Sequence, residues 1–304
     1  MDFNHLIAEA YKITLKNKVL WIFGVVVAVF GGFPQVFTYN FNFPVGPTGS
    51  AEMEKSAQNM PKAMQFLEFV DPSKLLLLVG LALIIFLTLF LVSIYLQTWA
   101  TAALISQTLG VLKGESIDFK KGSLAGEKYF SRILLFRFIL MAPLLPIILV
   151  LVGVPLMFFL ADLKLFAAIF MILDILILII GLIAYSVVVG IVSEFGFRRM
   201  IERDLGVVES AKQGWELFRE NLGTSLTVWI VNLALSFVIS LPISILVFIF
   251  VVLGIPFFMV NPWLIVVPVL AFLAVGTFVG GLWNVFLFSY WSLAYNRVSR
   301  KGES

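Results

Sequence analysis

Long apolar runs alternate with short polar segments along the whole chain. The apolar runs fall at about 19–38, 75–98, 133–160, 165–192, 224–257 and 264–292. Each reaches the roughly 20 residues that a helix needs to cross a bilayer core. The pattern predicts an all-α polytopic membrane protein with six transmembrane helices. The polar segment at 1–18 leads into a full-length apolar run, and Gly31-Gly32-Phe33-Pro34 is a poor cleavage site. The first run therefore reads as an uncleaved span rather than a signal peptide.

Shorter amphipathic stretches precede the first, third and fifth runs. On the best of them, Val208, Ala211, Trp215, Phe218 and Leu222 recur at intervals of three and four, with charged residues on the other faces. That spacing makes one helical stripe. Phe3, Leu6, Ile7, Ala10 and Tyr11 form a similar stripe, and Glu9-Ala10-Tyr11-Lys12 echoes Glu209-Ser210-Ala211-Lys212. In the middle copy, Gly126 and Phe130 stand where Gly214 and Phe218 stand. Such helices lie in the headgroup layer with basic residues toward anionic lipid. Lys12, Lys16, Trp215, Phe218 and Arg219 are accordingly candidate lipid-interface residues.

The same three spans carry Gly-x-Pro near their second end: Gly32-Phe33-Pro34, Gly153-Val154-Pro155 and Gly254-Ile255-Pro256. Glycine permits a left-handed helix end and proline cannot continue the ladder, so each motif is expected to turn the chain. These correspondences predict three tandem helical hairpins with interfacial helices, over about 1–107, 108–203 and 204–304. The first contains an outer loop at 39–74, within which Ser50 to Phe69 reads as a short helix. Its Met53, Met60 and Met64 read as packing rather than a metal site.

Composition agrees with a bilayer as the solvent. Apolar residues make up 61% and charged residues 13%, against about 25% charged in soluble domains. Of the 21 lysines and arginines, Lys55, Lys62, Lys74 and Lys164 alone fall on one side when both termini are placed on the other. The positive-inside rule makes that richer side, with both termini, cytoplasmic. There is no cysteine and only one histidine, His5. No thiolate or multi-histidine metal site, no phosphate-cradling Gly-rich loop and no basic nucleic-acid domain is present. The reading is of a non-enzyme without metal or cofactor, whose partners are membrane lipids or another membrane protein.

Polar residues within the spans are the remaining candidates. Asp174 lies roughly 13 Å from the outer end of span four at 1.5 Å per residue. Arg137, near the inner end of span three, snorkels toward water as a topology anchor. Span five carries Asn232, Ser236, Ser240 and Ser244 at intervals of four, and span six carries Gly276, Gly280 and Asn284. Small residues let helices approach, so Asn232 and Asn284 are expected to bond across a tight hairpin. Gln97, Thr98 and Thr101 can join them from span two. Pro143, Pro146, Pro242 and Pro268 are expected to kink their helices. Asp174, Asn232, Ser236, Ser240, Asn284 and Gln97 together make a candidate intramembrane polar site.

Three segments carry a family resemblance: Asn17-Lys-Val-Leu-Trp-Ile-Phe-Gly24, Glu209-Ser-Ala-Lys-Gln-Gly-Trp-Glu-Leu-Phe-Arg-Glu-Asn221 and Phe288-Ser-Tyr-Trp-Ser-Leu-Ala-Tyr295. Together they resemble a loose group of bacterial six-span proteins similar to the membrane domain of some glycerophosphodiester phosphodiesterases. The resemblance implies a bacterial cytoplasmic membrane. It implies no activity, because these 304 residues hold no soluble catalytic domain and one histidine. Two functions follow as expectations: a scaffold that interacts with lipid or holds a partner, and, as the alternative, a transporter or channel for a small or amphiphilic solute using Asp174. An intramembrane enzyme fits worst, since one deep aspartate cannot form an aspartyl pair.

The topology is open to direct measurement, because the chain has no native cysteine. A single cysteine at Ser56 and another at Gln213 should be labelled by an impermeant thiol reagent from opposite sides of the membrane. Labelling of both from one side would refute the six-span arrangement.

Overall fold

The computed structural model describes residues 2–39, 72–260 and 266–301, and every regular element among them is an α-helix. In chain order these are α1 (Phe3–Lys16), α2 (Val19–Tyr39), α3 (Pro72–Leu112), α4 (Phe119–Met141), α5 (Leu144–Leu160), α6 (Lys164–Arg203), α7 (Val207–Glu220), α8 (Leu222–Val260) and α9 (Val266–Lys301). Among the described residues, five stretches are long and apolar enough to cross a membrane; a sixth results if α1 and α2, bent by 101° to each other, count as one broken span. The loop read at 39–74, with its methionines, lies outside the described residues apart from its two ends.

Two compact units divide the chain, one of residues 1–28 and 98–304 and one of 29–97. In the second, Leu76 to Leu91 of α3 expose most of their apolar side chains, as lipid-facing helix requires.

Within the first unit the core is confined to one end, where α1, α4 and α7 pack around the last turns of α3, α6 and α9. Leu6, Phe23, Leu104, Phe136, Phe195 and Tyr290 are each fully buried there. Away from it, Leu149, Met157, Ile172, Phe248 and Leu270 stand exposed. The apolar helix surface therefore outruns the core by several turns, which water would not tolerate and hydrocarbon would.

The three amphipathic helices bury matching positions. Their N-cap residues are Asp2, Asp118 and Gly206. The fourth, eighth and eleventh residues after the cap are Leu6, Ala10 and Ile13 on α1, Gly122, Gly126 and Tyr129 on α4, and Ser210, Gly214 and Leu217 on α7, all buried. The middle position must be small because helices cross there. A Cβ on Gly126 would lie 2.8 Å from the Trp99 carbonyl oxygen, and one on Gly214 would lie 2.8 Å from that of Val192. This register aligns Ala10 with Gly214, so the echo of Glu9–Lys12 in Glu209–Lys212 is displaced by four residues, about one helical turn.

The ends of α1 and α7 also match. Asn17 and Asn221 are the C-caps, and their Nδ2 groups donate to the carbonyls of Ile13 (2.9 Å) and Leu217 (3.3 Å). Each amide adds a second bond to a carbonyl that the backbone N–H of the same cap residue already reaches at 3.2 Å. On α4 the equivalent residue is Ile133, which cannot do this, and the helix runs on to Met141.

The proline motifs act differently from expectation. All three Gly-x-Pro sequences lie inside helices, with Pro34, Pro155 and Pro256 four or five residues before the ends of α2, α5 and α8. A proline there removes one hydrogen bond, and the helix persists for another turn. The reversal after α5 is made instead at Ala161–Leu163, where Asp162 is left-handed at φ 60°. Pro143 does coincide with the break between α4 and α5. Pro146 and Pro268 occupy first turns, where an N–H has no intrahelical partner anyway, and α8 passes through Pro242 unbroken.

The close helix crossing of α9 is also made elsewhere than expected. Gly281 packs on α2, where an added Cβ would lie 2.8 Å from the Val25 nitrogen, and Gly24 faces the Gly281 carbonyl in turn. Gly280 faces Ala28, whereas Gly276 has nothing within 4 Å. Gly281→Val should therefore destabilise by about 1–3 kcal/mol through overpacking. Gly276→Ala should be neutral or stabilising by up to about 1 kcal/mol. Thermal unfolding of the two variants in detergent compares them; equal melting temperatures would contradict the α2–α9 crossing.

Candidate functional site

The polar centre of the first unit is a buried junction of α3, α6 and α9. Arg198 is fully buried on α6. Its Nε donates to Ser292 Oγ of α9 at 3.1 Å and its Nη2 to the Phe288 carbonyl at 3.1 Å. Nη1 donates to the Glu194 carbonyl at 2.8 Å and pairs with the Glu194 carboxylate one turn back. Thr108 of α3 completes the junction, its Oγ1 lying 3.0 Å from Ser292 Oγ. A buried charge is tolerable only when paired and hydrogen-bonded, and the forked guanidinium reaches partners on two helices at once. Removing one partner from such a pair costs about 3–5 kcal/mol.

Around this junction, side chains close gaps between helices by bonding to backbone. Trp99 Nε1 donates to Ser123 O at 3.2 Å, joining α3 to α4. Tyr129 Oη reaches Ile201 O at 3.4 Å and Tyr185 Oη donates to Leu140 O, both joining α4 and α6. Tyr290 Oη donates to Val228 O at 3.0 Å, joining α9 to α8.

Ion pairs tie the rim. After α6 the chain turns through Asp204, which is left-handed at φ 52°. Lys128 donates to its Oδ2 at 2.9 Å and Arg132 to its Oδ1 at 2.7 Å. Those hydrogen bonds, first from Lys128 and then from Arg132, hold the Asp204 carboxyl below its ordinary pKa of 3.8. On the opposite rim, Arg297 reaches His5 Nδ1 at 2.8 Å and the Asp2 carbonyl at 3.3 Å, clamping α9 to α1.

The polar residues expected to assemble within the membrane do not form one site. Asn232 and Asn284 are both half-buried, but no hydrogen bond joins them, and Asn232 Oδ1 has no partner among the described residues. The reason is the rotation of α9, whose small residues face α2, while its bond to α8 comes from Tyr290. Ser236 is half-buried. Ser240 is exposed and donates to the Phe237 carbonyl of its own helix at 2.9 Å. Asp174 is half-buried, with Oδ2 sheltered and unpartnered among the described residues. Gln97, in the second unit, is buried with Oε1 likewise unpartnered. Arg137 has its guanidinium 5.8 Å from the Phe197 ring centre and donates to Thr98 Oγ1 at 3.5 Å.

The interfacial candidates divide. Lys12, Lys16 and Arg219 are exposed. Trp215 is 46% exposed, and Tyr11, 60% exposed, occupies the equivalent place, nine residues after its own cap. Phe218 belongs to the core instead, at 5%. The stripe through Val208, Trp215 and Leu222 faces outward because Ser210 and Gly214, both small and both buried, allow the closer contact with α6. Arg198, Thr108 and Ser292 carried no mark in the sequence as a site. The one available signal was the Glu194–Arg198 spacing of four at the end of an apolar run.

The chain belongs to DUF7544, a family of unknown function whose model matches residues 15–298. No curated protein and no solved structure matches it. Nothing in the family match connects the chain with glycerophosphodiester phosphodiesterases.

The Asp204 clamp has a defined pH dependence. Its folded pKa is depressed, so its contribution is complete above the unfolded value and is lost as pH falls through the lower folded value. Melting temperature should drop on acidification below about pH 4, and Asp204→Asn, which tolerates the left-handed backbone, should flatten that part of the curve. An identical acid limb in the variant would refute the clamp.

Proposed function

We propose that this protein is a non-enzymatic scaffold of the bacterial cytoplasmic membrane that organises lipid or holds a membrane partner. In this reading six spans form three tandem hairpins, each opened by an interfacial helix, with both termini cytoplasmic. The matching buried positions of α1, α4 and α7, and the matching C-caps of α1 and α7, support the repetition.

One observation carries the functional reading: the core occupies a single end of the first unit, and the apolar helix surfaces beyond it stay uncovered. The 101° bend between α1 and α2 supports it further. If α2 crosses the bilayer, α1 lies almost in its plane, with Lys12, Lys16 and Tyr11 outward. That is how an amphipathic helix meets an anionic surface.

The Asp174 oxygen, sheltered and unpartnered among the described residues, favours a second reading, proton-coupled transport of a small solute. Liposome reconstitution separates the two. The scaffold should pass no more ions, protons or amino acids than empty vesicles. It should also recruit anionic lipid, read by mass spectrometry of the lipid retained in nanodiscs, and lose that enrichment when Lys12, Lys16 and Arg219 are changed to glutamine. Proton-dependent flux abolished by Asp174→Asn would overturn the scaffold in favour of transport.

A further inference from the structure

Arg137 stands on the border of α4, one turn after the buried Ile133 and one turn before the exposed Met141. Its guanidinium lies between α3 and α6, beside the fully buried Thr98 and 5.8 Å from the Phe197 ring centre. A guanidinium presents five N–H donors. Among the described residues Arg137 makes one hydrogen bond, to Thr98 Oγ1 at 3.5 Å, beyond the roughly 2.7–3.2 Å of a well-formed bond. Arg198, by contrast, donates from all three of its side-chain nitrogens. Arg137 is only half-buried, and none of its nitrogens is both sheltered and without a partner. Its free donors therefore stay accessible at the margin of the helix packing.

Charge does not balance at this place. Glu194 is the carboxylate that acts electrostatically on Arg137, but it is already paired with Arg198 Nη1. No ion pair joins it to Arg137 among the described residues. Two arginines thus share one carboxylate, which leaves one positive charge over. Away from water such a charge is costly, and an anion relieves it. The forked donors favour an oxyanion that offers two oxygens side by side. Depth narrows the source. Arg137 lies five residues, about 7.5 Å along the helix, beyond Arg132, which pairs with Asp204 on the rim. The polar layer on each side of a bilayer is about 5–8 Å deep, so a cation at that depth meets lipid phosphate rather than bulk water.

We infer that Arg137 holds the phosphodiester of an anionic phospholipid that enters beside α4. The site deepens the scaffold reading and rests on its lipid part alone, since a bound lipid is compatible with flux or with its absence. It is separate from Lys12, Lys16 and Arg219, which stand on the exposed faces of α1 and α7.

The test uses the full chain in neutral detergent, with bound lipid counted by native mass spectrometry and thermal unfolding run alongside. The probes are dioctanoyl phosphatidylglycerol, dioctanoyl phosphatidylcholine, which has the same tails and no net charge, and inorganic phosphate. One phosphatidylglycerol should bind before any other lipid and raise the melting temperature, with phosphatidylcholine needing far higher concentration. Arg137→Gln removes an unbalanced charge, so it should preserve the unliganded melting temperature. It should weaken phosphatidylglycerol binding about tenfold or more and leave the two lipids equal. Arg137→Lys, which keeps the charge without the fork, should lose part of the preference, and it carries the test if the glutamine variant does not fold. Changing Lys12, Lys16 and Arg219 together to glutamine should leave this one lipid bound. Enrichment of anionic lipid that survives that triple change would sink the surface part of the scaffold reading and leave the Arg137 site standing. Equal affinity of the native chain for the two lipids, or a preference undiminished in both Arg137 variants, overturns the site. Inorganic phosphate protecting as well as phosphatidylglycerol overturns its assignment to a lipid.

Discussion

The first unit is organised by the need to satisfy the Arg198 guanidinium out of water. Its donors reach Glu194 on its own helix and Ser292 and Phe288 on α9, and Ser292 in turn meets Thr108 of α3. Apolar packing between spans tolerates rotation and sliding, since one leucine surface resembles another. A fixed fork of N–H donors tolerates neither. The junction thus sets the axial register of α3, α6 and α9, and that register decides which residues the amphipathic helices find beneath them.

Those helices then supply the area that the spans do not. Between long apolar helices in lipid there is little hydrophobic drive to associate, so close backbone contact and polar bonds matter more. Gly126 on Trp99, Gly214 on Val192 and Gly281 on Val25 are the close contacts. The tyrosine and tryptophan bonds to backbone carbonyls are the polar counterpart. Both concentrate at the end that holds most of the basic residues.

Much of this was legible in the sequence. Continuous apolar runs marked the helices, because hydrocarbon permits no other open backbone. Periodicity of three and four marked α1 and α7. What periodicity could not give was the rotation of each helix. On α7 the large side chains of the stripe, Val208 and Trp215, face outward, and the contact falls where Ser210 and Gly214 remove bulk. The same effect took Gly280 and Gly281 to α2 and left Asn232 without Asn284. Gly-x-Pro was a poor marker of turns, because a helix outlasts a proline by a turn. The Arg198 junction was hidden by its chemistry, since an arginine near a span end reads as an anchor until its partners are seen.

The clamp of α1 onto α9 has a consequence for how the molecule is made. The buried face of α1, Leu6, Ala10 and Ile13, belongs to a helix whose partner is synthesised about 280 residues later. At roughly 5–20 residues per second, that delay is on the order of 15–60 s. Throughout it α1 must shelter its apolar face on something other than α9, and the membrane surface is the nearest shelter that a basic amphipathic helix finds. Biogenesis would then leave the first helix parked on lipid until the ninth arrives. The α1–α9 contact forms late, and a ribosome stalled before α9 would leave the first helix still waiting.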